Sequence, residues 1–256
     1  MRSCIFTNDN NVEILLSSHD FSSIIQERDN CEVYFRRIHT YMINNNIIDT
    51  TKNIIDLGAW IGDNTLPWAK NIKGIVYAID PSSLNCRFID DMMTLNNLTN
   101  IQIIQKAISD KNEILTTNEN LQHCSFVYNN SNNNGCNKVE SYSLDTLYSS
   151  DEITNIGYIH LDVEGMEYRV IKGATNLIEY FRPLITFEQH YTIDDVMLII
   201  NYLKERNYNV FLINEILPEC HSDCRNFLAI PTEKLPNNFV ENVEIYTNAP
   251  HILIPF

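Results

Sequence analysis

Glycine and proline are scarce in this chain of 256 residues, which contains seven of the first and eight of the second. Such low contents exclude a collagen-like repeat and a flexible linker-like chain, because both are dominated by these residues. Hydrophobic residues make up 44% of the sequence, an ordinary share for a globular protein with a core. The length fits one large domain or two small ones.

Basic side chains are also few. The 18 Lys and Arg stand against 33 Asp and Glu, which gives a formal charge of −15 and a pI near 4.8. Nucleic-acid binding needs clustered Lys and Arg to neutralise phosphates, so this balance argues against a nucleic-acid partner. Asn is in excess, with 34 copies. Because Asn and the abundant Ile have A/T-rich codons, an A/T-biased genome explains this excess more simply than function does.

Long apolar runs and targeting signals are absent from the sequence. No run approaches the ~18 apolar residues of a membrane span. The amino terminus, MRSCIFTNDN, lacks the basic, apolar and small-residue order of a signal peptide. We therefore predict a soluble cytoplasmic protein that does not bind membranes.

The seven cysteines are odd in number and irregularly spaced. This pattern favours reduced thiols over a disulfide framework. Cys220 and Cys224 bracket His221 and Asp223, which raises the possibility of a metal site. Zinc needs four ligands and no second pair lies at a suitable spacing, so an ordinary loop is favoured.

Short apolar runs alternate with amphipathic segments through most of the chain. The runs lie at 53–57, 74–79, 101–104, 156–161, 183–187, 209–213 and 227–230, and helix-like segments lie at 64–71, 82–96, 167–180 and 193–207. This alternation predicts an α/β fold, with a mostly parallel sheet and helices on both faces. The last two runs have no helix between them, which predicts an antiparallel pair at a sheet edge.

Three segments lie outside this rhythm. Residues 1–50 are predicted to be a helical lead-in, and the Asn-rich insertion at 110–140 a surface loop with short strands. The tail at 232–256 ends in the apolar HILIPF, which we expect to pack on the body or on a partner, with a homodimer possible. The predicted catalytic domain covers 51–231.

Acidic residues follow four of the apolar runs: Asp56, Asp80, Asp162 and Glu188. In open α/β sheets, ligands bind at the carboxyl ends of the strands, where these side chains would meet. Each one taken singly could instead cap a helix or stabilise a turn.

The first strand leads into DLGAWIGDNT at 56–65. Gly58 permits a tight turn and close approach of the backbone to a ligand, and Gly62 permits close packing of the next helix. Trp60 occupies the place of the second glycine of a dinucleotide fingerprint, and no Gly-Lys-Ser/Thr follows, so neither that fingerprint nor a P-loop fits. Asp80 lies about 22 residues after Gly58, where a ribose-binding acid is expected. This spacing predicts a nucleoside ligand without a pyrophosphate.

The sequence from 56 to 62 resembles motif I of class I S-adenosylmethionine-dependent methyltransferases, and the chain as a whole resembles the FkbM type over roughly residues 50–231. The most specific part is HLDVEGME at 160–167. The supporting segments are AIDPS at 78–82, NLTNI at 97–101, KAISD at 106–110, SLDTL at 143–147, VIKGA at 170–174, TFEQH at 186–190 and NFLAIP at 226–231. The resemblance implies a Rossmann-like fold with a seven-stranded, mostly parallel sheet, one antiparallel strand, and S-adenosylmethionine as the cofactor.

The resemblance also implies a set of cofactor contacts. They are Gly58, Ala59, Trp60 and Gly62 around the methionine portion, Asp56 beneath the turn, Asn64 and Thr65 at the carboxylate, Asp80 at the ribose, Pro81 and Ser82 on the adenine side, Ala107 and Ile108 flanking adenine, and Asp162 in the cleft. The alternative is helix capping for Asn64 and Thr65, and core packing for Ala107 and Ile108. The family usually has Asn where this chain has Trp60, and often Glu where it has Asp80.

Methyl transfer from a sulfonium needs an aligned acceptor oxygen, exclusion of water and a base for the hydroxyl proton. His190 is our candidate base, because histidine titrates near neutral pH. Asp162 and Glu164 are competing candidates. The carboxylates could also bind a divalent cation, which we do not favour.

The sequence therefore predicts an S-adenosylmethionine-dependent O-methyltransferase that modifies a hydroxyl of a sugar, a glycan or another small metabolite. One alternative is a catalytically inactive cofactor-binding or interaction protein on the same fold. The other is a methyltransferase for protein or nucleic acid, which the acidic charge opposes.

Overall fold

The computed structural model describes residues 4–7, 13–16, 32–117, 137–190, 195–215 and 224–256. The first elements are β1 (Cys4–Thr7), β2 (Glu13–Leu16) and α1 (Val33–Asn44). The prediction of a helical lead-in is confirmed for α1 but wrong for the two strands, which pair antiparallel. Ile14 and Leu16 are buried at alternate positions, a two-residue period too short to stand out in the sequence.

The central elements follow the predicted alternation. They are β3 (Asn53–Leu57), α2 (Thr65–Asn71), β4 (Val76–Ile79), α3 (Ser83–Leu95), β5 (Ile101–Ile104), β6 (Ala107–Ile108), β7 (Glu113–Thr117), β8 (Asn137–Tyr142), α4 (Leu144–Ser149) and β9 (Ile156–Leu161). Strands β6, β8 and β7 form a separate small sheet in that order. Short strands therefore stand at both ends of the insertion, and its middle, 118–136, lies outside the described residues.

The remaining elements are α5 (Glu167–Lys172), α6 (Thr175–Phe181), β10 (Leu184–His190), α7 (Val196–Lys204), β11 (Tyr208–Ile213), β12 (Cys224–Pro231), α8 (Phe239–Thr247) and β13 (Leu253–Pro255). The single helix predicted at 167–180 is divided into α5 and α6 at Gly173. A Cβ at Gly173 would lie 2.3 Å from the Ser109 carbonyl oxygen, so the chain passes very close to its neighbour there.

The main sheet has eight strands in the order β13-β11-β12-β10-β9-β3-β4-β5. Strands β10, β9, β3, β4 and β5 run parallel, and β12 runs antiparallel to both β10 and β11. The predicted seven strands with one reversed are thus present. The eighth strand, β13, adds a second reversed strand, and it covers the edge that β11 would otherwise expose.

Two layers of helices enclose the sheet, so its strands are buried on both faces. On β3, Ile54 belongs to the layer that includes α1, α2, α3 and α8, whereas Ile55 and Leu57 belong to the layer that includes α4 to α7. Ile252 and Leu253 from the tail are buried in the first layer, as expected for a tail that packs on the body. Within the described ranges, no helix is both long and apolar enough to cross a membrane.

Leu253→Ala should lower the free energy of unfolding by about 2–4 kcal/mol, because it removes a side chain that is only 2% exposed. Its neighbour Ile254, which is 39% exposed, provides the matched control, since Ile254→Ala removes much less buried surface. Urea denaturation of the two variants gives the comparison. Equal losses would mean that β13 does not anchor the tail.

Candidate active site

The turn after β3 is pressed against the end of β9. Gly58 has φ +74°, and a Cβ there would lie 1.7 Å from the Asp162 carbonyl oxygen, so only glycine fits. The backbone N–H groups of Gly58 and Ala59 donate to the Ile79 carbonyl at 3.0 and 3.2 Å, and that of Asp162 donates to Leu57. The ends of β3, β4 and β9 are therefore joined at one edge of the sheet.

Trp60 lies at the apex of this turn with φ +45°, and its N–H donates to Asp80 Oδ2 at 2.9 Å. Left-handed backbone is tolerated best by glycine and, among other residues, by Asn. A tryptophan at this position therefore stores backbone strain within the turn. Gly62 also has a positive φ, +79°, and packs against Ile89 of α3.

Asp80 ends β4 and is only 6% exposed. Its Oδ1 accepts from the Ser82 N–H at 2.7 Å and the Asn85 amide at 3.1 Å, in addition to the Trp60 bond at Oδ2. Burial raises the pKa of Asp80 to about 6, although these hydrogen bonds oppose the shift. A carboxylate offers about four acceptor positions, so one remains at Oδ2.

Asn85 is a site residue that the sequence analysis missed. It lies in the first turn of α3, is 2% exposed, and its Oδ1 has no partner among the residues described. It therefore offers a second acceptor beside Asp80. Ser82 caps the same helix by accepting from the Asn85 N–H, and only the short spacing from Asp80 could have pointed to this arrangement.

Asp56 lies beneath the turn, fully enclosed. Its Oδ2 accepts from the Thr65 hydroxyl and its Oδ1 pairs with His160 Nδ1 at 2.9 Å. Burial lowers the pKa of His160, but the hydrogen bond and charge of Asp56 outweigh burial, so the pKa is raised overall. Asn64 stands at the N-cap of α2 without a side-chain capping bond, and its buried Oδ1 lacks a partner in the described part of the chain.

Two carboxyl groups from neighbouring strands meet in the cleft. Glu188 of β10 hydrogen-bonds to Asp162, which follows β9, and burial together with the charge of Asp162 raises the pKa of Glu188 far above its usual range. Glu188 therefore keeps its proton at neutral pH and donates it to Asp162. The sequence placed both acids at this edge but did not predict that they would share a proton.

His190 and Glu164, two of the predicted catalytic residues, are brought together. His190 Nε2 lies 3.6 Å from Glu164 Oε2, and its Nδ1 lies 3.2 Å from Cys224 Sγ. Glu188, His190 and Cys224 have ligand atoms within 4.8 Å of one another. Cys224 is disulfide-bonded, which differs from the reduced thiol expected and leaves its sulfur unable to act as a thiolate ligand. The other residues of the 220–224 motif lie outside the described residues.

Glu167 fixes the loop that carries Asp162 and Glu164. Its Oε1 accepts from the N–H groups of Val163 and Gly165 at 3.0 and 3.2 Å, and its Oε2 accepts from Gln189 at 3.3 Å. No site role is predicted from the sequence for either Glu167 or Gln189.

The residues predicted to lie near adenine are found in two different surroundings. Ala107 and Ile108 are buried in the second core layer, as the packing alternative expects. Pro81 borders a cavity of about 400 Å³ that is also lined by Gln105, Lys106 and Tyr142.

Comparison with known proteins gives one family. The model of the methyltransferase FkbM domain matches residues 56–210. Among solved structures, an FkbM methyltransferase from Methylobacillus flagellatus KT is similar, with a TM-score of 0.54 and 16% identity over 82% of this chain and 55% of that one. The chain thus spans about half the length of that relative. No curated protein sequence matches the chain.

Two further solved structures have lower TM-scores. Precorrin-6y C5,15-methyltransferase from Geobacter metallireducens GS-15 has 0.45 and 12% identity, over 78% of this chain and 88% of that one. M. jannaschii TYW2 in complex with AdoMet has 0.42 and 12% identity, over 89% and 84%.

The Asp56–His160 pair predicts a pH-dependent stability. Since the folded-state pKa of His160 is raised, its contribution is complete below the ordinary value of ~6.5 and is lost as pH rises through the folded value. The destabilisation caused by His160→Gln should therefore shrink above pH ~6.5, by at most ~1.4 kcal/mol for each further pH unit until the folded value is passed.

Urea denaturation between pH 5.5 and 9 measures this difference. The exposed His251 supplies the control, because His251→Gln should change stability little at every pH. A destabilisation by His160→Gln that grows with pH would contradict the assignment.

Proposed function

Because the chain belongs to the family defined by the FkbM methyltransferase domain, we propose that it transfers a methyl group from S-adenosylmethionine to a hydroxyl of a sugar, a glycan or another small metabolite. One observation carries the proposal. The turn at Gly58 is hydrogen-bonded to buried Asp80, and both lie at the same edge of the sheet as His190 and the Asp162–Glu188 pair. This edge offers a nucleoside side and an acid–base side next to each other.

The polar atoms on the nucleoside side fit the cofactor. Asp80 Oδ2 and Asn85 Oδ1 are acceptors for ribose hydroxyls. Asn64 is expected at the methionine carboxylate, but its Oδ1, unpaired within the described residues, is an acceptor and suits the methionine ammonium instead. The cavity beside Pro81 has room for an adenine ring. When bound, the cofactor supplies a methyl group activated by its sulfonium.

The chain's own residues supply alignment and proton transfer. His190 would take the hydroxyl proton as the acceptor oxygen is methylated, because a sugar hydroxyl is too weak an acid to ionise beforehand. Glu164 lies beside His190 and would stabilise the imidazolium. Asp162, held by Glu188, is the competing base. The burial of Glu188 and His190 would exclude water from the reacting oxygen.

The alternative functions keep distinct support. Trp60, at a position where the family usually has Asn, is the feature that favours a cofactor-binding protein without catalysis. The charge of −15 disfavours a nucleic-acid substrate. A homodimer built through the tail stays a prediction.

Asp80→Asn should weaken S-adenosylmethionine binding by about 1–3 kcal/mol in isothermal titration, because a buried acceptor becomes unable to bind the ribose as a carboxylate. Wild-type affinity should fall up to tenfold per pH unit below about 6, as Asp80 gains a proton, and Asp80→Asn should lack this dependence. Asp91→Asn, on the exposed face of α3, is the matched control. Unchanged affinity in Asp80→Asn would remove this residue from the site.

His190→Ala should reduce kcat for methyl transfer to a sugar acceptor by about 10²–10⁴-fold while cofactor affinity stays intact. His251→Ala, at an exposed position, should leave kcat unchanged. If His190→Ala retains kcat and Asp162→Asn abolishes it, Asp162 is the base. Cofactor binding without transfer to any sugar acceptor would favour the non-catalytic alternative.

A further inference from the structure

Two buried residues outside the family-matched region, which is the span 56–210 of the family model, meet next to the acid–base side of the site. Glu32 immediately precedes α1, and Asn226 lies on β12, 194 residues later in the chain. The Asn226 amide nitrogen donates to Glu32 Oε1 at 2.8 Å, and the Arg36 guanidinium lies 3.9 Å from Glu32 Oε2. Glu32 and Asn226 are only 4% and 3% exposed.

Sheet register places Asn226 beside the acid–base residues. It lies directly across from Glu188 in the antiparallel pair of β10 and β12, and Cys224 lies across from His190. Opposite residues in such a pair project from the same face with neighbouring Cβ atoms. Asn226 therefore emerges beside Glu188, whose carboxyl bonds to Asp162.

The orientation of the Asn226 amide is determined by Glu32. An ionised carboxylate only accepts hydrogen bonds, so the NH₂ group has to face Glu32. The amide oxygen then faces away, and this buried atom has no hydrogen-bond partner among the described residues. A buried acceptor left unpaired is costly, which points to a donor supplied by a ligand.

The surrounding charges restrict that ligand. Glu32, Asp162 and Glu164 lie around Glu188, which is across from Asn226 and itself keeps its proton. A carboxylate or phosphate on the acceptor would be repelled by Asp162 and Glu164 and could not donate to the Asn226 oxygen. A hydroxyl or an ammonium satisfies both conditions, and a hydroxyl is the group that the proposed methyl transfer already requires nearby.

We propose that Asn226 Oδ1 binds a hydroxyl of the acceptor adjacent to the one that is methylated, and that Glu32 is the positioning residue that orients this amide. The acceptor is then an uncharged polyol with a vicinal diol. This inference rests on the proposed function and names its substrate class. It also assigns acceptor selection to segments on either side of the family-matched region.

The test measures binding of neutral methyl glycosides, the methyl α-pyranosides of glucose, galactose, mannose and rhamnose, to protein saturated with S-adenosylhomocysteine. Saturation-transfer NMR and isothermal titration give the affinities. The same measurements are made with monodeoxy analogues of these glycosides, with glucosamine and with glucuronate. We expect at least one neutral glycoside to bind, its analogue lacking the adjacent hydroxyl to bind about tenfold more weakly, and glucuronate to bind more weakly than the neutral sugars.

The variants separate recognition from folding. Asn226→Leu, which keeps the branched shape and the number of side-chain heavy atoms, should weaken glycoside binding about five- to tenfold and leave S-adenosylhomocysteine affinity unchanged. Asn209→Leu is the matched control, because the Asn209 amide makes an exposed hydrogen bond to Thr232. Glu32→Leu should resemble Asn226→Leu, whereas Glu32→Gln, whose amide oxygen still accepts from Asn226, should retain affinity within about threefold.

Several outcomes would overturn the inference. Two concern the variants: folded Asn226→Leu binds glycosides as tightly as the wild-type protein, or Glu32→Gln and Glu32→Leu bind them with equal affinity. Two concern the ligands: the protein prefers glucuronate or glucosamine to the neutral sugars, or it binds no neutral glycoside. If the wild-type protein does not bind S-adenosylhomocysteine, the proposed function itself is refuted. The two failures are therefore distinguishable.

Discussion

The close approach of the Gly58 backbone to the Asp162 carbonyl is the contact on which the whole site depends. It brings the turn after β3 against the end of β9, and the bonds from this turn to Ile79 and Asp80 add the end of β4. A side chain at Gly58 would push these strand ends apart. The carboxylates that follow them would then no longer face a common space, so one glycine sets the geometry of both halves of the site.

The pKa values of buried ionisable groups in this structure are raised at some positions and lowered at others, according to their neighbours. The carboxylate of Asp56 raises the pKa of His160, whereas burial and the adjacent His160 lower the pKa of His39 to about 3. His39 therefore stays neutral, stacked on Trp68 at 4.8 Å. Glu188 is kept protonated by burial and by Asp162. Burial penalises each charge, and only a paired opposite charge reverses the penalty.

The family-matched region and its flanks contribute different things. Residues 56–210 contain the glycine turn, Asp80, Asp162, Glu188 and His190, which supply cofactor contacts and proton transfer under the proposed function. The flanks supply Glu32, Asn226 and the strand β13. Under the proposal for Asn226, the flanks help to select the acceptor hydroxyl.

The sequence by itself determined the α/β alternation, the Gly58 turn and the acids at the strand ends, because helix and strand periods and the spacing of a turn are local properties. Its helical interpretation of residues 1–50 failed at β1 and β2, where four-residue strands carry too little pattern. Only the tertiary structure decided that β13 joins the sheet, that Asn85 lies beside Asp80, and that Glu188 shares a proton with Asp162. The pairing of Glu32 with Asn226 joins residues 194 positions apart. Such contacts depend on strand order and register, which are fixed by the packing of the whole chain and not by any local segment.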